Sequence, residues 1–249
     1  MLACAPSNMA VDNLLEKLLA AGVNVLRLGH PARVLPELRD HTLDVLAERH
    51  PNQKLADKMR REAEQLFRKA DRFTRARPAP GEKRGLRDEA KSLRQEAWEL
   101  ERRVVDELLD KAAVLCVTLT GLSSRVLGQR RYELCVIDEA GQSVEPSNWI
   151  PLLRSQRVVL AGDPFQLPPT VISPEATRKG LSMSLLERLM QQEAELAKQL
   201  GVQYRMHVDI MTFPSREFYG ESLIAAESVG QGKTAWPGAV VGAVAYVDA

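Results

Sequence analysis

The stretch "VIDEAGQSVEP" (residues 136–146) places two adjacent carboxylates, Asp138 and Glu139, directly after an apolar run. Such a run predicts a strand covered on both faces, which is typical of a parallel sheet. The carboxylates at its end have two interpretations. The strand tip simply reaches solvent, or the strand delivers the carboxylates to a metal ion and a phosphate group. Taken alone, the "DEAG" pattern favours the first interpretation.

Four further apolar runs predict strands, at residues 2–5, 23–29, 113–120 and 157–162. Between the first two, "PSNMAVDNLLEKLLAAG" predicts a helix with Ser7 or Asn8 as its N-cap and Gly22 at its end. Strand, helix and strand at this spacing form a βαβ unit, so we predict an α/β fold with a parallel sheet flanked by helices. Ligands of such sheets bind at the carboxyl ends of the strands. A polar helix is also predicted over about residues 182–199.

The chain changes character between the second and third predicted strands. Residues 51–77 and 82–112 are rich in Arg, Lys, Glu, Ala and Leu, and "RPAPGEKRG" between them predicts a turn. We therefore predict an antiparallel helical hairpin inserted at residues 48–112. Its tip is basic, with Arg68, Lys69, Arg72, Arg75, Arg77, Lys83, Arg84 and Arg87. Two interpretations stay open: a solvated surface of mixed charge, or a contact to a phosphate backbone.

Composition restricts the class of protein. With 249 residues, 45% apolar and 27% charged, the chain has the profile of a soluble globular protein, and its net charge of +1 gives no indication of nucleic acid. Three cysteines within apolar runs predict buried, reduced thiols. No Cys/His spacing indicates zinc, and no run approaches the roughly 18–20 apolar residues of a membrane span. We expect a cytoplasmic protein, or a nuclear one in a eukaryote, that does not bind a membrane.

Four other polar segments follow predicted strands or open a new region. "LAGDPFQLPPT" (160–170) offers Gln166 to a phosphate oxygen or a water, and "QYRMH" (203–207) offers Arg205 as a bidentate donor to a γ-phosphate. "CAPSN" (4–8) and "TLTG" (118–121) provide hydroxyl and amide groups that bind phosphate oxygens without reading bases. Each has an ordinary structural alternative: a stiff surface loop, a surface ion pair or a helix cap.

In this order, the segments resemble those of superfamily 1 nucleic-acid helicases. Within that superfamily the chain is similar to the nonsense-decay and immunoglobulin-mu-binding type, which move 5′ to 3′, and the similarity covers essentially the whole chain. It implies a first RecA-like domain at residues 1–47 and 113–200, a helical insertion at residues 48–112, and an incomplete second RecA-like domain at residues 201–249.

The resemblance also implies roles for individual residues. Asp138 would hold Mg²⁺, Glu139 would act as the general base, Gln166 would sense the γ-phosphate of ATP, and Arg205 would be the arginine finger. The implied cofactors are ATP and Mg²⁺, and the implied partner of a monomeric complete protein is single-stranded DNA or RNA. The implied strand contacts are Pro6, Ser7, Asn8, Thr118, Thr120, Gly121, Arg75, Arg77, Lys83 and Arg84.

One departure from the family separates the functional hypotheses. Such helicases carry a GxxxxGK[ST] phosphate loop before the "CAPSN" strand, whereas "GQGKT" (230–234) lacks that spacing and a preceding strand, so we predict a loop there. The late motifs of the second RecA-like domain are also absent. We expect the central part of an ATP-dependent helicase or translocase that alone hydrolyses ATP poorly. The alternative is a non-catalytic module that binds single strands; a P-loop ATPase without nucleic acid is disfavoured by "CAPSN" and "QYRMH".

Overall fold

A five-stranded parallel sheet forms the centre of the first compact unit, residues 1–187. The computed structural model describes residues 1–72 and 81–230. The strands lie in the order β2-β3-β1-β4-β5. Their bounds are β1 Leu2–Ala5, β2 Val25–Leu28, β3 Val114–Thr118, β4 Tyr132–Ile137 and β5 Ser155–Leu160. The predicted α/β class and the parallel sheet are therefore confirmed.

Strand β1 pairs with β3 on one side and with β4 on the other, and this pairing aligns the carboxyl ends of the three strands. Ala5 lies opposite Thr118 on one side, and Cys4 lies opposite Ile137 on the other. The Leu119 N–H donates to Ala5 O at 3.1 Å, and the Asp138 N–H donates to Cys4 O at 2.8 Å. The loops that follow β1, β3 and β4 consequently begin side by side at the carboxyl edge of the sheet.

Seven helices connect or flank these strands, and α1 illustrates why they form. Ser7 caps α1, because its Oγ accepts the Ala10 N–H at 3.1 Å. Val11 and Leu15 lie on its buried face, against the core of the sheet. The helices are α1 Asn8–Ala20, α2 Leu43–Arg49, α3 Pro51–Asp71, α4 Glu82–Lys111, α5 Glu145–Leu152, α6 Pro174–Arg178 and α7 Leu185–Gln192.

Helices α3 and α4 form the predicted hairpin, and small residues line the contact between them. The fully buried positions recur every seven residues along each helix, as in an antiparallel coiled coil. They are Ala56, Ala63 and Ala70 on α3, and Ala90, Ala97 and Val104 on α4. None of the helices in the described ranges is long and apolar enough to cross a membrane. The turn at residues 73–80, with Arg75 and Arg77, lies outside the described residues.

A second compact unit begins at Arg188. It contains a parallel pair of two-residue strands, β6 Val202–Gln203 and β7 Ile224–Ala225, with helices α8 Val208–Phe218 and α9 Glu227–Gly230. The predicted helix at 182–199 is wrong in its length, because α7 ends at Gln192. Residues 191–200 are all exposed, so no buried apolar face supports a longer helix. The "GQGKT" segment lies outside the described residues after Gly230.

The loops after β4 and β5 touch through their backbones. The Ala140 N–H donates to Ala161 O at 2.9 Å. A Cβ atom at Gly141 would lie 2.8 Å from Asp163 O, and one at Gly162 would lie 2.9 Å from Gly141 N. Both positions therefore require glycine for steric reasons, and the "DEAG" and "LAGDPFQ" segments form one packed unit.

Replacing Gly141 by Ala tests this packing. Because the new methyl group would overlap a backbone carbonyl rather than a flexible side chain, we expect a loss of roughly 1–3 kcal/mol in the free energy of unfolding. Urea denaturation measures it. Gly85→Ala is the matched control, since a Cβ there meets nothing within 4 Å, and helix propensity predicts a gain of about 0.5–1 kcal/mol. Equal stability of Gly141→Ala and the unchanged chain would contradict the prediction.

Replacing Ala63 by Leu tests the small-residue contact of the hairpin. The larger side chain would separate α3 from α4, so we expect destabilisation by about 1–3 kcal/mol. Loss of helical circular dichroism on heating reports the change. Glu62→Leu adds a leucine at the neighbouring exposed position and should leave the hairpin intact; an equal loss in both variants would refute the seven-residue contact.

The three cysteines are free and buried, as predicted. Burial raises the pKa of the Cys116 thiol from 9.0 to about 12. The hydrogen bond between the Cys4 and Cys135 thiols, whose Sγ atoms are 3.8 Å apart, and burial together raise the pKa of Cys4. The raised pKa of Cys116 in the folded state means that this thiol favours folding below its unfolded pKa of 9.0, and that this contribution is lost as pH rises from 9.0 towards 12.

Thiol labelling tests whether the three cysteines are buried in the folded chain. At about pH 8 we expect Ellman reagent to react with the folded chain far more slowly than with the chain in urea, because all three thiols are buried away from the reagent. Rapid labelling of three thiols in the folded chain would contradict the burial.

Candidate functional site

Asp138 and Glu139 lie at a sharp turn immediately after β4. Glu139 has φ 54° and ψ 35°, a left-handed conformation that is uncommon for a residue other than glycine. Its N–H donates to Asp138 Oδ1 at 3.0 Å, and the chain then enters a 3₁₀ turn at Ala140–Gln142. A non-glycine residue in this conformation costs about 1–2 kcal/mol, so the surrounding contacts must hold the turn in place.

The Glu139 carboxylate has a fixed partner. Gln142 Nε2 donates to Glu139 Oε2 at 2.9 Å. Glu139 is partly exposed and Gln142 is exposed, so a water molecule can approach the carboxylate. This contact of Gln142 was not predicted from the sequence, although Gln142 lies within the quoted "VIDEAGQSVEP" stretch.

The loop after β5 orders Gln166 through Asp163. The Gln166 Nε2 group donates to Asp163 Oδ2 at 2.9 Å, and the Phe165 N–H donates to Asp163 Oδ1 at 3.0 Å. Because Asp163 O also lies against Gly141, the same residue contacts the Glu139 loop and the Gln166 side chain. Asp138, Glu139 and Gln166 are therefore carried by one packed pair of loops.

The donor set at this edge fits magnesium bound together with a nucleotide. Such Mg²⁺ ions use one or two carboxylates, phosphate oxygens and waters. Asp138 offers a partly exposed carboxylate with one oxygen engaged by the Glu139 N–H. Within residues 1–72 and 81–230, no group of three or more His, Cys, Asp or Glu side chains is arranged to hold a metal. Asp138 is accordingly the candidate ligand of an ion that also contacts phosphate.

A cleft of about 540 Å³ lies at the ends of β1, β2 and β3. Five of the predicted strand-contact residues line it: Pro6, Asn8, Thr118, Thr120 and Gly121. Ser7 is exposed next to the cleft and serves as the helix cap. Thr118 Oγ1 accepts the Gly121 N–H at 3.2 Å, so this hydroxyl also shapes the loop.

The sequence analysis missed His30, Arg33 and Ser124, which line the same cleft. His30 Nδ1 accepts the Ala32 N–H at 3.2 Å, which leaves Nε2 as its second polar atom. Arg33 is exposed. Both residues follow β2 in "RLGHPAR", so the rule that ligands bind at carboxyl ends of strands would have found them.

Among the described basic residues of the hairpin tip, Arg68, Arg84 and Arg87 form ion pairs. Arg87 contacts Asp71 at 2.7 Å, and Arg84 contacts Asp88 at 3.8 Å. Arg84 and Lys83 are exposed at the start of α4, and no described hairpin residue lines the cleft. Exposed pairs of this kind contribute little and exchange partners easily, so both interpretations of the tip remain open.

Arg205 belongs to the second unit, where a glutamine organises its turn. Gln203 Oε1 accepts the Arg205 N–H at 2.9 Å and the Met206 N–H at 2.7 Å. Gln203 Nε2 donates to Met206 O at 2.7 Å. The Arg205 side chain is exposed, and Gln203 explains how "QYRMH" keeps a defined backbone.

Comparison with known proteins gives matches over most of the chain. Residues 1–174 match the family model AAA_11 and residues 181–244 match AAA_12, each described as an AAA domain. DNA-binding protein SMUBP-2 of Rattus norvegicus is 41% identical over 92% of the chain, which covers 23% of that protein. An uncharacterized ATP-dependent helicase of Methanocaldococcus jannaschii is 32% identical over 92% of the chain, which covers 39% of it.

A Regulator of nonsense transcripts 1 homolog of Neurospora crassa is 35% identical over 90% of the chain. The chain covers 19% of that protein, so it spans well under half of each of these relatives. The predicted resemblance is confirmed, because the AAA_11 match alone extends over more than half of the 249 residues. The chain belongs to the AAA_11/AAA_12 family of superfamily 1 helicases, of the type represented by SMUBP-2 and the regulators of nonsense transcripts.

Proposed function

We propose that this chain forms the central part of an ATP-dependent 5′-to-3′ helicase or translocase that moves on single-stranded DNA or RNA. The observation that carries the proposal is that the cleft and Asp138 lie at the same edge of the sheet. The cleft with Pro6, Asn8 and Thr118 follows β1 and β3, and Asp138 follows the adjacent strand β4. A relative whose name includes "DNA-binding protein" and another named as an ATP-dependent helicase support the two halves of the proposal.

On the nucleotide side, each residue has a role that its contacts allow. Asp138 would hold Mg²⁺, which when bound offsets charge on the phosphate oxygens. Glu139, oriented by Gln142, would accept the proton of the attacking water. Gln166, held by Asp163, would contact the γ-phosphate or that water. For Arg205 of the second unit, we keep the arginine-finger role that the family resemblance implies.

Besides the Asp44 carboxylate, the cleft offers amide, hydroxyl, imidazole and guanidinium groups to a nucleic-acid strand. These groups suit phosphate and sugar oxygens, and contacts of that kind position a strand without reading its sequence. Arg33 supplies a positive charge in the cleft, where phosphate neutralisation releases counterions. We therefore expect salt-sensitive binding with little sequence preference.

A second candidate is a non-catalytic module that binds single strands. The cleft at the ends of β1, β2 and β3 would be sufficient for such a module. No GxxxxGK[ST] segment occurs among the 249 residues. Both candidates require strand binding, and they differ in whether the Asp138 and Glu139 loop takes part in ATP turnover. Strand binding is thus the first property to measure.

We expect the chain to bind labelled oligothymidylate and oligouridylate, with an association constant that falls as salt rises. Arg33→Gln should weaken binding and reduce the slope of log K against log salt by about 0.7, the value for one lost phosphate contact on a single strand. Fluorescence anisotropy at several salt concentrations measures both. Arg178→Gln, on the exposed face of α6 and outside the cleft, removes the same charge and should leave the slope unchanged. Absence of salt-dependent binding would overturn the proposal.

ATP turnover separates the two candidates when it is measured with and without the same oligonucleotides. We expect this chain by itself to turn over little ATP. Strand-stimulated turnover that Glu139→Gln abolishes would show an active nucleotide site here and would reject the non-catalytic candidate. Strand-stimulated turnover that is equal in the unchanged chain and in Glu139→Gln would contradict the role given to Glu139.

A further inference from the structure

A buried charge lies next to the cleft at the ends of β1, β2 and β3. Arg27 is the third residue of β2 and is fully buried, although the other residues of that strand are apolar. Its Nε donates to Asp12 Oδ1 at 3.0 Å, and Asp12 is 2% exposed. Its Nη1 also donates to Leu28 O. Burying an ion pair costs free energy that its own attraction often fails to recover, so stability alone does not account for this pair.

The same guanidinium reaches the cleft residue Asn8. Arg27 Nη2 donates to Asn8 Oδ1 at 2.9 Å. A guanidinium carries donors and no acceptor, so only the oxygen of the Asn8 amide can face it. The amide therefore has one orientation, with Oδ1 towards Arg27 and Nδ2 left for the cleft that Asn8 lines.

Other contacts prevent this arrangement from shifting. Asp12 Oδ2 accepts the Leu35 N–H at 3.0 Å, which ties α1 to the segment after β2. Gly29 has φ 148°, and a Cβ there would lie 3.0 Å from Arg27 Nη1, so the glycine leaves room for the guanidinium. Asn8 itself is the first helical residue after the Ser7 cap. Both ends of the Arg27–Asn8 hydrogen bond are thus fixed by separate elements.

We propose that Arg27 is a positioning residue that makes Asn8 a donor-only contact, so that Asn8 Nδ2 binds a phosphate or sugar oxygen of the single strand. The inference rests on the proposed strand-binding function and adds the reason why asparagine is needed at position 8. An aspartate there would still pair with Arg27 but would present an acceptor and a negative charge to the strand.

The first experiment compares Asn8→Asp with Asn13→Asp in oligothymidylate binding by the full chain. Asn13 is exposed on the same helix and does not line the cleft, so both variants change net charge equally. A carboxylate at the first turn of a helix is favourable, so Asn8→Asp should stay folded. We expect binding weakened about ten-fold or more by Asn8→Asp and nearly unchanged by Asn13→Asp. Equal losses in the two variants, or no loss with Asn8→Asp, would overturn the inference.

The second experiment tests whether Arg27 acts through Asn8. Lysine at position 27 can still pair with Asp12, but it lacks the planar fork that contacts Asp12 and Asn8 together. We expect Arg27→Lys as a single substitution to weaken binding several-fold. When it is combined with Asn8→Ala, we expect no loss of binding beyond that of Asn8→Ala alone. Multiplied losses in the double variant would show that Arg27 matters only for folding and would overturn the inference.

These results are distinguishable from failure of the proposed function. If the unchanged chain shows no salt-dependent binding, the proposed function itself is wrong. If that binding and the Arg33→Gln effect are present while Asn8→Asp binds as tightly as the unchanged chain, only the role of Arg27 and Asn8 is wrong. Should Arg27→Lys fail to fold, the comparison of Asn8→Asp with Asn13→Asp still tests the donor contact of Asn8, and tight binding by Asn8→Asp would overturn the inference.

Discussion

The backbone pairing of the short central strand β1 is the constraint on which both candidate sites depend. Its carbonyl groups accept the Leu119 N–H on one side and the Asp138 N–H on the other. The first bond fixes the start of the loop after β3, which carries proposed nucleic-acid contacts. The second bond fixes the start of the loop after β4, which carries the two carboxylates. Because neighbouring strands are about 4.8 Å apart, a displacement of β1 would move both loops together. This arrangement gives a short, rigid connection between the proposed nucleotide and strand sites.

The parts of this arrangement that follow from periodicity and strand ends could be predicted from the sequence. Apolar runs indicated all five strands, and the sequence placed Asp138, Thr118 and Asn8 at or just after the carboxyl ends of strands, where ligands bind. The same rule applied to β2 would have indicated His30 and Arg33. The spacing of Ala56, Ala63 and Ala70 was also present in the sequence, since a small residue every seventh position favours closely packed helices.

Other features depend on contacts between distant segments and could not be predicted. The left-handed conformation of Glu139 follows from the packing of its loop against Asp163, which no local pattern encodes. The early end of α7 has a similar origin: residues 191–200 have helix-forming side chains, but all of them are exposed, so no buried apolar face extends the helix. The partners of Arg27 could not be predicted either, because only the fold places Asp12 and Asn8 beside it.

The buried ion pair of Arg27 and Asp12 bears on how the Asn8 amide is oriented in the cleft. A well-packed apolar pair in place of Arg27 and Asp12 would often be as stable or more so, yet it would leave the Asn8 amide free to rotate between donor and acceptor orientations. A strand phosphate presents only acceptors, so half of those orientations would repel it. The guanidinium removes that ambiguity before the strand arrives, which lowers the ordering cost of binding. Retention of a buried charge at the back of a polar cleft is therefore better explained by the orientation of Asn8 than by the stability of the sheet.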